Sequence, residues 1–235
     1  MATKGKINKL PLRDTEERPV RWRKYKCLIL IVCEDEKTEP YYFTSIKNQL
    51  PNETVFLRPV GTGRNSKGVV EQAIIEKQKL LEESNKNVDD IWAVFDRDDA
   101  DKSESNRERF AKAFEIADKS NIKVAYSNEV FELWLLLHFS DVSSEIPMPR
   151  RDIYSALENS INKGRTTATK FTYSHGDTQV IDIVLASGNE SEAIKRAEKL
   201  DEIHRKIGKK PIDANPNTLV YQLVKKLRAL IDYYA

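Results

Sequence analysis

The sequence predicts an α/β protein: a mostly parallel sheet flanked by helices, followed by a helical C-terminal region. Three observations carry the α/β class. Residues 27–33, CLILIVC, are seven consecutive apolar residues, and such an unbroken run suits a strand covered on both faces. Residues 91–95, IWAVF, repeat that character. Between and after these runs lie charged segments with apolar residues at helical spacing, so strands and helices alternate. Both runs end on acids, and in open α/β sheets ligands bind beyond the carboxyl ends of the strands.

Composition sets the outer limits. A chain of 235 residues makes one large domain, or one domain with an appendage. With 40% hydrophobic and 32% charged residues, a real core sits beneath long solvated helices. A net charge of +2 excludes a histone-like polycation, so any nucleic-acid surface must be local. Cys27 and Cys33 stand about 20 Å apart if both lie in one extended strand, too far for a disulfide. They read as buried thiols in a reducing cytoplasm. Two cysteines and three histidines leave little material for zinc. No stretch of about 20 apolar residues suggests a membrane span, and the polar N-terminus lacks the apolar core of a signal peptide.

Three regions are expected: a basic arm over 1–25, an α/β core over 26–140 and a helical region over 141–235. The arm carries Lys4, Lys6, Lys9, Arg13, Arg18, Arg21, Arg23 and Lys24, which read either as a loosely ordered segment or as phosphate contacts. Trp22 and Tyr25 point to docking of its end on the core. After the first strand, residues 34–39 form a turn. Pro40 sits in the first turn of a helix pinned by Tyr41, Tyr42, Phe43 and Ile46. A short second strand is expected around 54–57. The following GTGRNSKG, 61–68, lacks the Gly-Lys-Ser/Thr ending of a Walker loop. It reads as a flexible loop in which Arg64 and Lys67 could touch phosphate.

Residues 69–83 have helical spacing, with Val70, Ile74, Leu80 and Leu81 near one face. The second buried strand, 91–95, leads into Asp96-Arg97-Asp98-Asp99. In extended chain Asp96 and Asp98 point to the same side and Arg97 to the other. A helix over 103–120 and a strand over 122–126 follow. SNEVFELWLLLHF, 127–139, reads as an apolar helix opened by the capping residues Ser127 and Asn128, with Glu129 and Glu132 on one face. His138, on the apolar face, reads as a core histidine. A two-proline connector then leads to helices over 153–161, 180–187 and 190–207, the first two separated by a basic loop with Lys163, Arg165 and Lys170. Asn215-Pro216-Asn217-Thr218 reads as the start of a last helix, with Leu219, Leu223, Leu227 and Leu230 as its buried stripe.

The chemistry is expected from the acids. Glu34, Asp96 and Asp98 at strand ends, with Glu132 at a helix start, offer oxygen ligands suited to Mg²⁺ or Mn²⁺. One ion on Glu34, Asp96 and Asp98 could polarise a phosphoryl oxygen, and a second nearer Glu132 could help activate water. Glu132 has a second reading, as the partner of a nearby Arg or Lys. Lys37 either stabilises developing negative charge or is an exposed turn lysine. Each acid alone fits a solvated turn; together they point to phosphodiester chemistry.

Glu34 closing one apolar strand and Asp-x-Asp closing another resembles the Toprim fold of topoisomerases, bacterial primases and OLD-family nucleases. Four longer stretches are sharper: IVCEDEKTEPYYF (31–43), VFDRDD (94–99), YSNEVFELWLLLHF (126–139) and NPNTLVYQLVKKL (215–227). Together they resemble the RloB-like family over nearly the whole chain. Asp35 stands where that family usually has Gly, which adds an acid beside the expected metal. The resemblance implies a Toprim-like core, a nuclease in an anti-phage, abortive-infection context, and an ATPase partner. The substrate implied is DNA or RNA, tRNA among the candidates, with Arg64, Lys67, Lys163, Arg165 and Lys170 as contacts. The alternative is a non-catalytic nucleic-acid-binding or regulatory subunit of the same complex. A topoisomerase or primase fragment fits poorly, for want of a strand-passage domain.

Overall fold

The computed structural model describes residues 21–51 and 54–234; residues 1–20 of the basic arm lie outside them. Five strands form one sheet: β1 (Cys27–Cys33), β2 (Val55–Gly61), β3 (Asp90–Asp96), β4 (Lys123–Asn128) and β5 (Asn217–Thr218). Their spatial order is β2-β1-β3-β4-β5. The first four run parallel, and β5 pairs antiparallel with β4. The helices are α1 (Thr38–Lys47), α2 (Ser66–Ser84), α3 (Glu104–Lys119), α4 (Glu132–Leu137), α5 (Arg150–Asn162), α6 (Gln179–Ser187), α7 (Glu190–Lys206) and α8 (Val220–Tyr234).

The apolar run of β1 serves two cores because successive side chains leave opposite faces of a strand. Ile29, Ile31 and Cys33 enter one core with α1 and the C-terminal helices. Leu30 and Val32 enter the other, with α2 and α3. β3 divides the same way: Trp92 and Val94 on the first side, Ile91, Ala93 and Phe95 on the second. A strand with a core on each side has no solvent face to fill with polar residues, which explains the unbroken apolar sequence. Residues 150–227 supply much of the first core, through Leu157, Val184, Leu200, Leu223 and Leu227. Both cysteines are free, Cys33 buried and Cys27 half-buried. At the start of the described chain, Trp22 and Tyr25 dock on Phe56, with ring centroids 4.8 and 5.2 Å away.

Several local expectations shift. β2 runs to Gly61, beyond the expected 54–57; as an edge strand it tolerates Pro59. α2 begins three residues before Val69, because Asn65 caps it by accepting a hydrogen bond from Gly68 N–H at 3.1 Å. Ser127 and Asn128 are not helix caps: they end β4, and Ser127 Oγ is 2.9 Å from Thr218 Oγ1 on β5. The last helix starts at Val220 rather than at Pro216, since Asn217 and Thr218 pair with β4 first. His138 is the core histidine expected: it is buried, and its Nδ1 lies 2.9 Å from the Trp134 carbonyl.

Leu30 is fully enclosed at the sheet centre. Leu30→Ala is expected to cost about 2–5 kcal/mol of stability, read as a lower urea midpoint with an unchanged slope.

Candidate metal centre and cleft

Strand order decides where the acids meet. β1 lies between β2 and β3, so the chain leaves β1 towards one edge of the sheet and returns on its other side. Such a switch point opens a crevice at the carboxyl ends of the two strands. Glu34 follows β1 and Asp96 ends β3. The two strand ends are joined directly: Glu34 N–H donates to the Val94 carbonyl at 2.9 Å, and Asp96 N–H donates to Glu34 Oε2 at 3.0 Å. Asp98 reaches the same crevice by a different route from the one expected. The strand stops at Asp96, and Asp98 takes a left-handed conformation with φ of 47°. A turn, not an extended alternation, brings the second carboxylate round.

The loop after β1 is held tightly. Asp35 Oδ2 accepts from Thr38 N–H at 2.6 Å, and Glu39 Oε2 accepts from Asp35 N–H at 3.1 Å. Asp35 thus satisfies the first N–H of α1. Across the loop, Gly61 faces its backbone: a Cβ there would come within 2.6 Å of Glu36 Cα and 2.7 Å of the Asp35 carbonyl. Backbone cannot yield as a flexible side chain can, so the loop that carries Glu34 needs glycine at 61.

Glu34, Asp96 and Asp98 line one cleft of about 560 Å³, whose rim includes Arg64, Arg150, Tyr154 and His175. The same three acids, with Arg150, line an adjoining hollow of about 210 Å³. Arg150 Nη2 contacts Asp99 Oδ1 at 2.9 Å and Asp98 Oδ1 at 3.2 Å. Arg97 is buried beside the cleft, between Glu129 and Asp101 at 2.5 and 2.7 Å. Glu129 lies ahead of α4 and also accepts from Arg150 N–H at 3.0 Å. It therefore does not share a helix face with Glu132. Glu132 is buried at the start of α4, where Tyr173 Oη donates to its Oε1. A tyrosine, not an Arg or Lys, is its partner there.

The remaining sequence-derived residues divide. Arg64 is exposed on the cleft rim. Lys67 is in the first turn of α2, 3.2 Å from Glu71. Lys37 is exposed at the residue before α1 and lines neither hollow. Lys163 and Arg165 line a separate hollow with Phe139 and Ile161, and Lys170 is exposed on the same loop.

Burial pushes the carboxyls of this centre upward. Glu34 is pushed up to about 8, chiefly by desolvation and then by the charges of Asp98 and Asp35, against the opposing hydrogen bond from Asp96 N–H. Burial likewise holds Asp96 well above the usual carboxylate range, with the charges of Glu39 and Glu34 adding to it. Glu39 is raised by burial and by the Glu34 charge. Asp98 and Glu132 are raised by burial, offset in part by Arg150 and by the Tyr173 hydrogen bond respectively. Glu39 was not singled out from sequence, although a signal existed: Glu39, Tyr42, Phe43 and Ile46 fall at the i, i+3, i+4, i+7 spacing of one face, and all four are buried.

Among the described residues, no three Asp, Glu, His or Cys side chains converge on a single ion position as they stand. The donor chemistry fits a hard divalent cation: the donors are all oxygens, and Asp96 Oδ1 is buried without a hydrogen-bond partner. Glu34, Asp96 and Asp98 are the carboxyls of the cleft that would hold such an ion.

An α/β protein with an acid-floored cleft at the switch point of its parallel sheet is the class that fold and site define. The RloB-like protein family matches residues 29–227, from β1 into α8 and across every cleft residue named above. The chain belongs to that family. No curated protein matches it. No helix among the described residues is long and apolar enough to cross a membrane.

Two outcomes are expected from this geometry. Gly61→Ala should lose about 1–3 kcal/mol in urea unfolding and displace the loop carrying Glu34. A carboxyl whose folded pKa lies above its unfolded value binds more protons in the folded state between the two values, so stability falls as pH rises through that window. For Glu34 the window runs from 4.5 to about 8. The melting-temperature advantage of wild type over Glu34→Gln should therefore shrink by about 10 °C from pH 5 to pH 8 in scanning fluorimetry. A pH-independent difference would contradict the assigned burial.

Proposed function

We propose that this RloB-like chain is a Toprim-type nuclease that uses Mg²⁺ or Mn²⁺ to cleave phosphodiester bonds in DNA or RNA. The observation that carries the reading is the gathering of Glu34, Asp96 and Asp98 on one cleft at the β1/β3 crevice, with Asp96 Oδ1 enclosed and without a hydrogen-bond partner. Like charges held out of water are costly, and a divalent cation compensates them while a monovalent side chain such as Arg150 does so only partly. Glu34, Asp96 and Asp98 would hold the ion, with Glu132 behind them. The bound ion supplies Lewis-acid polarisation of a phosphoryl oxygen and of the attacking water.

The chain's own residues then have distinct tasks. Asp96 N–H and Val94 C=O fix the Glu34 carboxylate and backbone at the rim. Arg150 and Arg64 offer positive charge to a phosphate lying over the acids. Lys37, outside the cleft lining, is given no part. The family resemblance supports placing the activity in an anti-phage abortive-infection system with an ATPase partner, with tRNA among the candidate substrates.

Purified protein, with and without the ATPase, is to be incubated with labelled tRNA, single-stranded DNA and plasmid in Mg²⁺ or Mn²⁺. Wild type is expected to cleave one of these, and Glu34→Gln or Asp96→Asn to cut at least about a hundredfold more slowly. Mn²⁺ should raise the melting temperature of wild type and not of these variants. Unchanged cleavage and an unchanged Mn²⁺ response in both variants would leave the acids without a catalytic role, and no cleavage by wild type with the ATPase present would return the non-catalytic binding subunit.

A further inference from the structure

The cleft has an aromatic wall that the acid chemistry does not use. Tyr154 of α5 stacks on Tyr173, with ring centroids 4.9 Å apart and planes 33° from each other. It also meets His175, at 6.3 Å and 38°. Tyr154 and His175 line the acid cleft of about 560 Å³. The same two rings also line a second hollow of about 500 Å³, together with Tyr173, Arg151 and Asn159. The rings therefore form the divide between the acid floor and a neighbouring polar chamber. Both volumes fall in the range of small-ligand sites. Tyr154 and Tyr173 are half-buried and His175 is exposed, so ring surface stays open to a ligand. Tyr173 is anchored from beneath by its bond to buried Glu132.

We infer that this ring cluster is a nucleobase-stacking platform, so that the substrate is a single-stranded or looped polynucleotide rather than a duplex. The inference rests on the nuclease reading and names the substrate class of that site. A phosphate over Glu34 and Asp98, between Arg64 and Arg150, leaves the neighbouring base beside Tyr154 and His175. Only an unpaired base can turn its face onto a protein ring, because in a duplex both faces are already stacked. Arg151 and Asn159 in the second chamber supply the polar edge that a displaced base or its sugar needs. The separate basic loop with Lys163 and Arg165 lines a different hollow and plays no part in this choice.

The test is binding without cleavage: fluorescence anisotropy in EDTA with a labelled 20-nucleotide RNA, the DNA of the same sequence, and the corresponding duplexes. Wild type is expected to bind at least one single strand about tenfold more tightly than its duplex. Tyr154→Leu and His175→Ala should each weaken that binding about tenfold, and Tyr154→Phe, which keeps the ring, should restore it to within about twofold. His175 is exposed, so His175→Ala keeps the test open should Tyr154→Leu fail to fold. Equal binding of duplex and single strand, or no loss in His175→Ala and Tyr154→Leu, overturns the platform even if Mg²⁺-dependent cleavage is found. Ring-dependent single-strand binding by a protein that cuts nothing upholds the platform and removes the nuclease.

Discussion

The structure depends on one electrostatic problem: several carboxyl groups are held together in a half-buried crevice at the end of a parallel sheet. Removing a carboxylate from water is expensive, and placing another beside it raises the cost. The protein meets part of that cost with backbone N–H donors and one tyrosine hydroxyl. Asp96 N–H serves Glu34, Asp35 N–H serves Glu39, and Tyr173 Oη serves Glu132. Arg150 addresses Asp98 and Asp99 from the rim. Asp96 Oδ1 is left without a hydrogen-bond partner.

That arrangement requires a stiff frame. β1 and β3 are packed on both faces, so their ends cannot drift apart without disturbing two cores at once. Gly61 lets the neighbouring strand end lie against the backbone of residues 35 and 36. Asp35 ties the loop to the first turn of α1. The acid next to the site thus has structural work, capping a helix, beyond any effect of its charge.

The helices after residue 140 share in building the site. Arg150 and Tyr154 come from α5, and Tyr173 and His175 from the segment before α6, yet all four face or support the cleft laid down by the first hundred residues. The sheet supplies an acid floor, and the later helices supply cations and rings above it. This division explains why the basic residues conspicuous in sequence, Lys163, Arg165 and Lys170, line or flank another hollow. Conspicuous charge marks solvent exposure, whereas the cleft's own Arg150 is partly covered and paired.

Much of the frame was legible in the residues alone. Unbroken apolar runs announced β1 and β3, because only a strand covered on both faces lacks polar positions. The strand-end position of Glu34 and Asp96 followed from the same runs. Local signals misled where a tertiary partner overruled them. Ser127 and Asn128 look like helix caps but are claimed by β5, Pro216 looks like a helix start but precedes that strand, and Asp98 leaves the extended conformation. Glu39 was readable from its helical spacing with Tyr42, Phe43 and Ile46. Tyr154, Tyr173 and His175 carry no local mark, because a ring's neighbours in space are set by how distant helices pack. The parallel sheet and the acids at its rim are written in burial periodicity that each segment records independently. The tertiary structure alone decided which acids share one cleft and which side chains wall it, since strand order and helix packing are properties of contacts between segments that no single segment contains.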